Sequence, residues 1–274
     1  MEIELKRLVL GVQYDGSSWH GWQTQPSGET IQDMLENALH KFCKSEVKTT
    51  CAGRTDAGVH GLGQVVHFDT ELNRNSYSWV NGVNAFLPGS IAVQWAKELV
   101  LNSDSDENFH ARFSASSRTY CYILLNSNIR SPVWQNKAGW FFRPLDLSQM
   151  QRAAEKLIGT HDFSAFRAAG CQAKSPIKLM HEIDIRQRGE LIIFTLRASA
   201  FLHHMVRNIV GSLLFVGSGR RSVNWMEDLL KSRNRSLAAP TFMPDGLYLA
   251  KIDYDEKWQL PQRNLDQVMS ILAL

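Results

Sequence analysis

The sequence predicts an α+β protein made of two ferredoxin-like βαββαβ halves that form a mainly antiparallel sheet. Three observations carry that expectation. Strand-length apolar runs alternate with segments of helical period in the order β-α-β-β-α-β, the split βαβ arrangement. A similar order returns after a polar, acidic break at residues 102–107 (NSDSDE), which reads as a linker. The 274 residues, 44% hydrophobic and 21% charged, suffice for two cores of ordinary size. The expected domains are residues 1–105 and 106–274, alike in topology but without a residue-level repeat.

In the first half, residues 7–14 (RLVLGVQY) form an apolar run that ends in a turn at Asp15-Gly16. Residues 17–28 hold Trp19, His20, Trp22 and turn-forming residues, so they are a loop with aromatic content. Thr30 opens a helix, with Asp33 as an acidic version of the capping box. Ile31, Met34, Leu35, Ala38, Leu39 and Phe42 then recur in three- and four-residue steps as one apolar stripe. Strands are expected at 46–51 and 62–68, a second helix at 76–86 and a strand at 91–99. The second half repeats the plan: a strand at 118–125, a helix at 147–158 and strands at 177–186 and 191–198 turning at Arg188-Gly189. A helix at about 203–216 and a strand at 247–254 complete it. Short extra helices are expected at 225–230 and 265–272.

Composition narrows the function classes. No apolar run reaches membrane-spanning length, and the first residues (MEIELK) lack a signal-peptide layout. Cys43, Cys51, Cys121 and Cys171 are widely spaced, which favours buried thiols in a reducing cytoplasm over a disulfide frame or zinc site. A net charge of +3 permits an anionic partner only if the charge gathers on one face. Gly58, Gly61 and Gly63 do not follow the dinucleotide fingerprint, and no phosphate-loop pattern occurs. His20, His60, His67 and the pair His203-His204 lack the spacing and acidic partner of a metal site. No cofactor and no metal are expected.

Three stretches carry the candidate chemistry. Cys51-Ala-Gly-Arg-Thr-Asp-Ala-Gly-Val-His-Gly61 is a glycine-rich loop between two strands, with Asp56 between Arg54 and His60. An ionised carboxylate there can act as nucleophile or base, although Asp also commonly braces a turn. Arg118, Tyr120 and Tyr122 alternate along one strand and so share a sheet face, suited to stacking a base and holding a phosphate. A core tyrosine pair with satisfied hydroxyls fits the same pattern. In residues 201–211 (FLHHMVRNIVG), His203 and Arg207 stand one helical turn apart near a helix start, where an anion can be faced. A solvated face fits that stretch too, and the basic run 231–235 (KSRNR) reads as a solvated loop.

Taken together these stretches resemble the TruA family of tRNA pseudouridine synthases. Gly53-Arg-Thr-Asp-Ala-Gly-Val-His60, Arg118-x-Tyr120-x-Tyr122 and His203-His-Met-Val-Arg-Asn-Ile-Val-Gly211 look like its catalytic, tyrosine and arginine motifs. Gly16-x-x-x-x-Gly-Trp-Gln23, Asn84-x-x-Leu-Pro88, Phe109-His-Ala-Arg-Phe-Ser114 and Gly246-Leu-Tyr-Leu249 match further patterns, in order along nearly the whole chain. The resemblance implies the pseudouridine synthase fold with a central cleft and isomerisation of uridine at positions 38, 39 and 40 of the tRNA anticodon stem-loop. It further implies a cytoplasmic homodimer that needs no cofactor. Asp56 would be the catalytic aspartate, Arg207 its partner, and Arg54 the residue that helps drive the uridine out of the stem. Tyr120 would stack on the target base, with Arg118, His203 and Leu247 contributing to substrate binding. Thr119 and Cys121 flank Tyr120 where some members carry arginines, which implies a weaker phosphate grip there. The rival readings are a non-catalytic RNA-binding protein and a nucleoside or glycoside hydrolase, the latter lacking a second motif-embedded carboxylate.

Overall fold

The computed structural model describes residues 5–101 and 108–272. The expected linker at 102–107 and the expected boundary between residues 105 and 106 lie outside them. The chain forms two compact units, residues 1–116 with 249–274, and residues 117–248.

The first unit holds β1 (Lys6–Tyr14), α1 (Ile31–Cys43), β2 (Thr50–Cys51), β3 (His60–Thr70), α2 (Ser76–Asn84) and β4 (Ile91–Val100), in the expected β-α-β-β-α-β order. The second holds β5 (Ala115–Asn126), β6 (Gly139–Phe141), α3 (Leu147–Glu155), β7 (Gly159–Asp162), β8 (Ile177–Arg188), β9 (Leu191–Ala198), α4 (Met205–Gly217) and α5 (Val223–Ser232). With β10 (Leu247–Tyr254) and α6 (Leu265–Met269) the chain rejoins the first unit.

In the first unit β1 is central and pairs antiparallel with β3 and β4, while β2 and β10 both lie against β3. Leu8, Val9, Leu10 and Val12 of β1 are all essentially inaccessible, which explains why that strand reads as a continuous apolar run. Thr30 caps α1 by accepting the Asp33 N–H, and Ile31, Leu35, Ala38 and Leu39 form the buried stripe. Phe42 of α1 meets Trp79 of α2 edge-on at 5.3 Å, and Trp79 meets Phe68 of β3 at 5.9 Å, locking both helices onto one sheet face. The second unit is ordered β5-β9-β8-β7, antiparallel throughout, with short β6 parallel to β5. There α3 packs on α4 and α5.

Several boundaries differ from the sequence expectation, each for a tertiary reason. The strand expected over 46–51 shrinks to Thr50–Cys51 because buried Glu36 accepts both the amide (2.8 Å) and the hydroxyl (3.0 Å) of Thr49. The helix expected over 147–158 stops at Glu155, since the amides of Lys156, Leu157 and Ile158 bond three residues back and tighten the last turn. The β3 strand starts at His60 rather than at 62, because Gly61 already pairs with Tyr14. Finally, α4 starts at Met205, because His204 sits at φ 60 and cannot join a right-handed helix. Of the four cysteines, all free, Cys43 and Cys121 are buried as expected, whereas Cys51 and Cys171 are only partly so. Among the described residues no helix is long and apolar enough to cross a membrane.

A buried histidine gives the first unit a pH signature. His67 on β3 accepts the Ala111 amide through Nδ1 at 3.1 Å, and burial, then the Arg7 guanidinium, lowers its pKa to about 4. The unfolded chain takes up this proton near pH 6.5, the folded chain only near 4. Stability from this group is therefore full above about 6.5 and is lost as pH falls from there toward about 4. His67→Gln is expected to melt lower than wild type at pH 8 and to converge with it as pH falls from 7 to 5. Melting curves that stay a constant distance apart over that range would rule this out.

Candidate active site

The loop between β2 and β3 holds Asp56 half-buried and Arg54 exposed, with Thr55 buried between them. Its backbone is pinned from several sides. Ala52 donates to Val65 O at 2.8 Å, Gln64 Nε2 donates to Gly53 O at 2.6 Å, and the Val59 amide closes a turn onto Asp56 O at 3.1 Å. Residues 14–22 form the other wall. Trp22 donates to Thr55 O at 3.0 Å, Gly58 donates to Trp19 O at 3.3 Å, and the Tyr14 hydroxyl lies 2.8 Å from Thr55 Oγ1. Gly58 takes φ +78, a left-handed angle that lets the chain reverse straight after Asp56. His60 points inward and accepts the Gly16 amide on Nδ1 at 3.1 Å, so it braces the loop base from a buried position. The thiol of Cys51, where the loop starts, is pushed up to about 11 by burial, against the pull of Arg54 and Arg112.

This wall depends on Gly16. A Cβ there would lie 2.0 Å from Val59 O and 2.5 Å from its carbonyl carbon, backbone that cannot rotate away. Gly16→Ala is expected to cost about 1–3 kcal/mol, the range for forcing atoms into a packed site. The clash falls on Val59, three residues from Asp56, so any activity that uses Asp56 should fall as well, by about 10²-fold if that group is misplaced by about 1 Å. Thermal melting and turnover measured on one preparation check this, and a variant matching wild type in both contradicts the tight wall.

In the second unit, Arg118 and Tyr120 of β5 share a sheet face and both contact the segment leading from β9 to α4. Arg118 Nη1 donates to Ser199 O at 2.9 Å, and the Tyr120 ring meets Phe201 edge-on at 5.0 Å. The same segment runs on to His203, exposed, and to Arg207, half-buried in the first turn of α4. His203 and Arg207 are not one helical turn apart as expected, since the helix begins after both histidines, whose rings lie 3.9 Å from each other. Arg207 donates through Nε to Phe242 O at 2.8 Å, while the Phe242 amide returns a bond to Arg207 O at 3.3 Å. Leu247 is buried at the start of β10, beside Gly246, whose carbonyl accepts the Ile123 amide of β5. Tyr122 is core: it is inaccessible, its hydroxyl donates to Met243 O at 2.9 Å, and burial raises its pKa well above the usual phenol range. Thr119 and Cys121 on the opposite face are buried too.

One arginine departs from the sequence expectation. Arg235, in the run taken for a solvated loop, turns inward instead. Its Nη2 donates to Asn208 Oδ1 and Thr241 Oγ1, both at 3.0 Å, and Nη1 to Ala239 O at 3.0 Å. Asn208, fully buried one residue after Arg207, also accepts from Thr241 and donates to Phe166 O at 2.7 Å, so this network fixes the rotation of α4 and hence where Arg207 emerges.

A family model for tRNA pseudouridine synthase matches residues 11–120 and 153–255. The chain belongs to the tRNA pseudouridine synthase family. It is 65% identical over 262 residues to the tRNA pseudouridine synthase A of Janthinobacterium sp. (strain Marseille), covering 96% of this chain and 97% of that one. It is 62% identical to that of Herminiimonas arsenicoxydans over 97% of this chain and 96% of the relative, and 55% identical to that of Bordetella avium (strain 197N) over 98% of each.

Proposed function

We propose that this chain isomerises uridine to pseudouridine at positions 38, 39 and 40 of the tRNA anticodon stem-loop, with Asp56 as the essential carboxylate. The observation that carries this reading is the multiply pinned glycine-rich loop that holds Asp56 half-buried beside Arg54, in a chain of this family. The reaction breaks the N1–C1′ bond, turns the uracil and joins C5 to C1′. N1 gains a proton, C5 loses one to solvent, and nothing is oxidised or reduced, so the isomerisation calls for no cofactor. The target base is stacked in a stem and must be flipped out, at a cost of a few kcal/mol. Arg54, exposed on the loop, fills the space the base leaves. Tyr120 stacks on the flipped uracil, and Arg118, His203 and Leu247 line its pocket. Arg207 is, as the family resemblance implies, the partner of Asp56 in the reaction. Whether Asp56 attacks C6, attacks C1′ or removes a proton towards a glycal, the same carboxylate stands against the same nucleotide. The enzyme works in the cytoplasm as a homodimer.

Tritium release from tRNA labelled at uridine C5 tests the reading. Wild-type protein is expected to release tritium and to leave pseudouridine at 38, 39 and 40. A non-catalytic RNA binder retains tRNA and releases none. Solution mass tests the dimer, which an active monomer contradicts.

A further inference from the structure

The turn at residues 109–114 (FHARFS) presents an aromatic side chain to solvent from an unusually firm support. Phe113 is 75% exposed, and its ring stacks on that of His110 with centroids 4.2 Å apart and planes 29° from parallel. Arg112, also exposed, carries its guanidinium 5.6 Å from the Phe113 centroid. Beneath them, His110 Nδ1 accepts the amides of both Arg112 (3.1 Å) and Phe113 (3.2 Å). Burial, then the Arg7 guanidinium, lowers the His110 pKa, which keeps that nitrogen an acceptor near neutrality. Ser114 closes the turn from both sides, donating its amide to His110 O and accepting the His110 amide on Oγ, both at 2.9 Å. The whole turn is anchored below by His67 to the Ala111 amide, by Tyr254, whose hydroxyl donates to Ala111 O at 2.7 Å, and by Arg7 to Phe109 O.

A lone exposed phenylalanine is ordinary. Here the ring is fixed in orientation and coupled to a guanidinium, the combination on which nucleic-acid bases stack. Its location points the same way. The anchoring His67 pairs in register with Thr50 of β2, the residue before Cys51. The Cys51 thiol, at the head of the Asp56 loop, feels the charges of Arg54 and Arg112 together. The charge of Arg112 on this turn thus reaches the head of the loop that itself carries Arg54, within the first unit. We infer that Phe113 is a second base-stacking residue, which holds a nucleotide of the RNA substrate beside the Asp56 loop while Arg112 contacts its phosphate. This rests on the proposed action on tRNA and adds a contact that none of the motifs was expected to make.

The test uses the full-length chain and an anticodon stem-loop RNA. Phe113→Ala should keep the wild-type melting temperature, since the ring is exposed, while binding the RNA about 5- to 100-fold more weakly, the range for loss of one stacked base. KM should rise by a similar factor with kcat changed less than threefold, and Phe113→Trp should restore affinity where Phe113→Leu does not. Phe113→Trp should also show RNA-dependent quenching beyond that of the wild-type chain and its eight tryptophans. Unchanged affinity in Phe113→Ala, equal rescue by leucine, or a change in solution mass without a change in affinity each overturns the inference. Binding needs no turnover, so a wild-type protein that binds RNA but releases no tritium sinks the isomerase reading alone.

Discussion

Replacing Asp56 by asparagine is expected to lower tritium release from C5-labelled tRNA by about 10⁴-fold or more, the order found when an essential nucleophile or base is removed. The substitution keeps shape and removes only charge and basicity. The loop should survive it, because the bonds that pin the loop run through Gly53 O, Thr55 O, the Val59 amide and the Asp56 carbonyl. All four are backbone groups. Melting temperature and RNA affinity should therefore stay close to wild type while the chemical step disappears. Full activity in Asp56→Asn would remove this residue from the mechanism and leave the reaction itself standing. Loss of RNA binding in parallel with turnover would instead make Asp56 a binding group.

The residues of the candidate site were more legible than their supports. Asp56 stood out because two charged side chains among glycines in a short connection have no packing explanation. α1 was equally plain, since its cap at Thr30 and its apolar stripe are both local signals. What the sequence hid depends on distant partners. Gly16 reads as an ordinary turn glycine until Val59 O is found against it, more than forty residues on. Glu36 carries no sign that it will take the Thr49 amide and cut β2 to two residues. Arg235 looks solvated in a basic run and becomes structural only once Asn208 and Thr241 converge on it. His204 shows the same limit at helix scale, since its left-handed backbone overrides a periodicity that runs straight through it. Side-chain chemistry is written locally, whereas the bracing that aims it is set by contacts between segments far apart in sequence.

That bracing makes the behaviour of Arg207 the second large expected effect. Arg207 spends Nε on Phe242 O, and its own carbonyl accepts the Phe242 amide, so one side of the guanidinium is fixed before any substrate arrives. The Asn208 network below sets the rotation of α4, which leaves the remaining guanidinium nitrogens with little freedom of direction. A planar fork so held can meet a carboxylate in one defined geometry, which a lysine ammonium cannot reproduce. Arg207→Lys keeps the charge and is therefore expected to bind RNA within a few-fold of wild type. Its kcat should nevertheless fall by about 10²-fold, the order expected when a group that acts on the reacting centre is misplaced by about 1 Å. Arg207→Ala should lose at least as much and also melt lower, since the Phe242 carbonyl loses its donor. The decisive comparison is a double-substitution cycle with Asp56→Asn. If Arg207 acts through the carboxylate, Arg207→Lys costs little further once Asp56 is neutral, whereas independent losses that multiply would show that the two residues do not work as a pair.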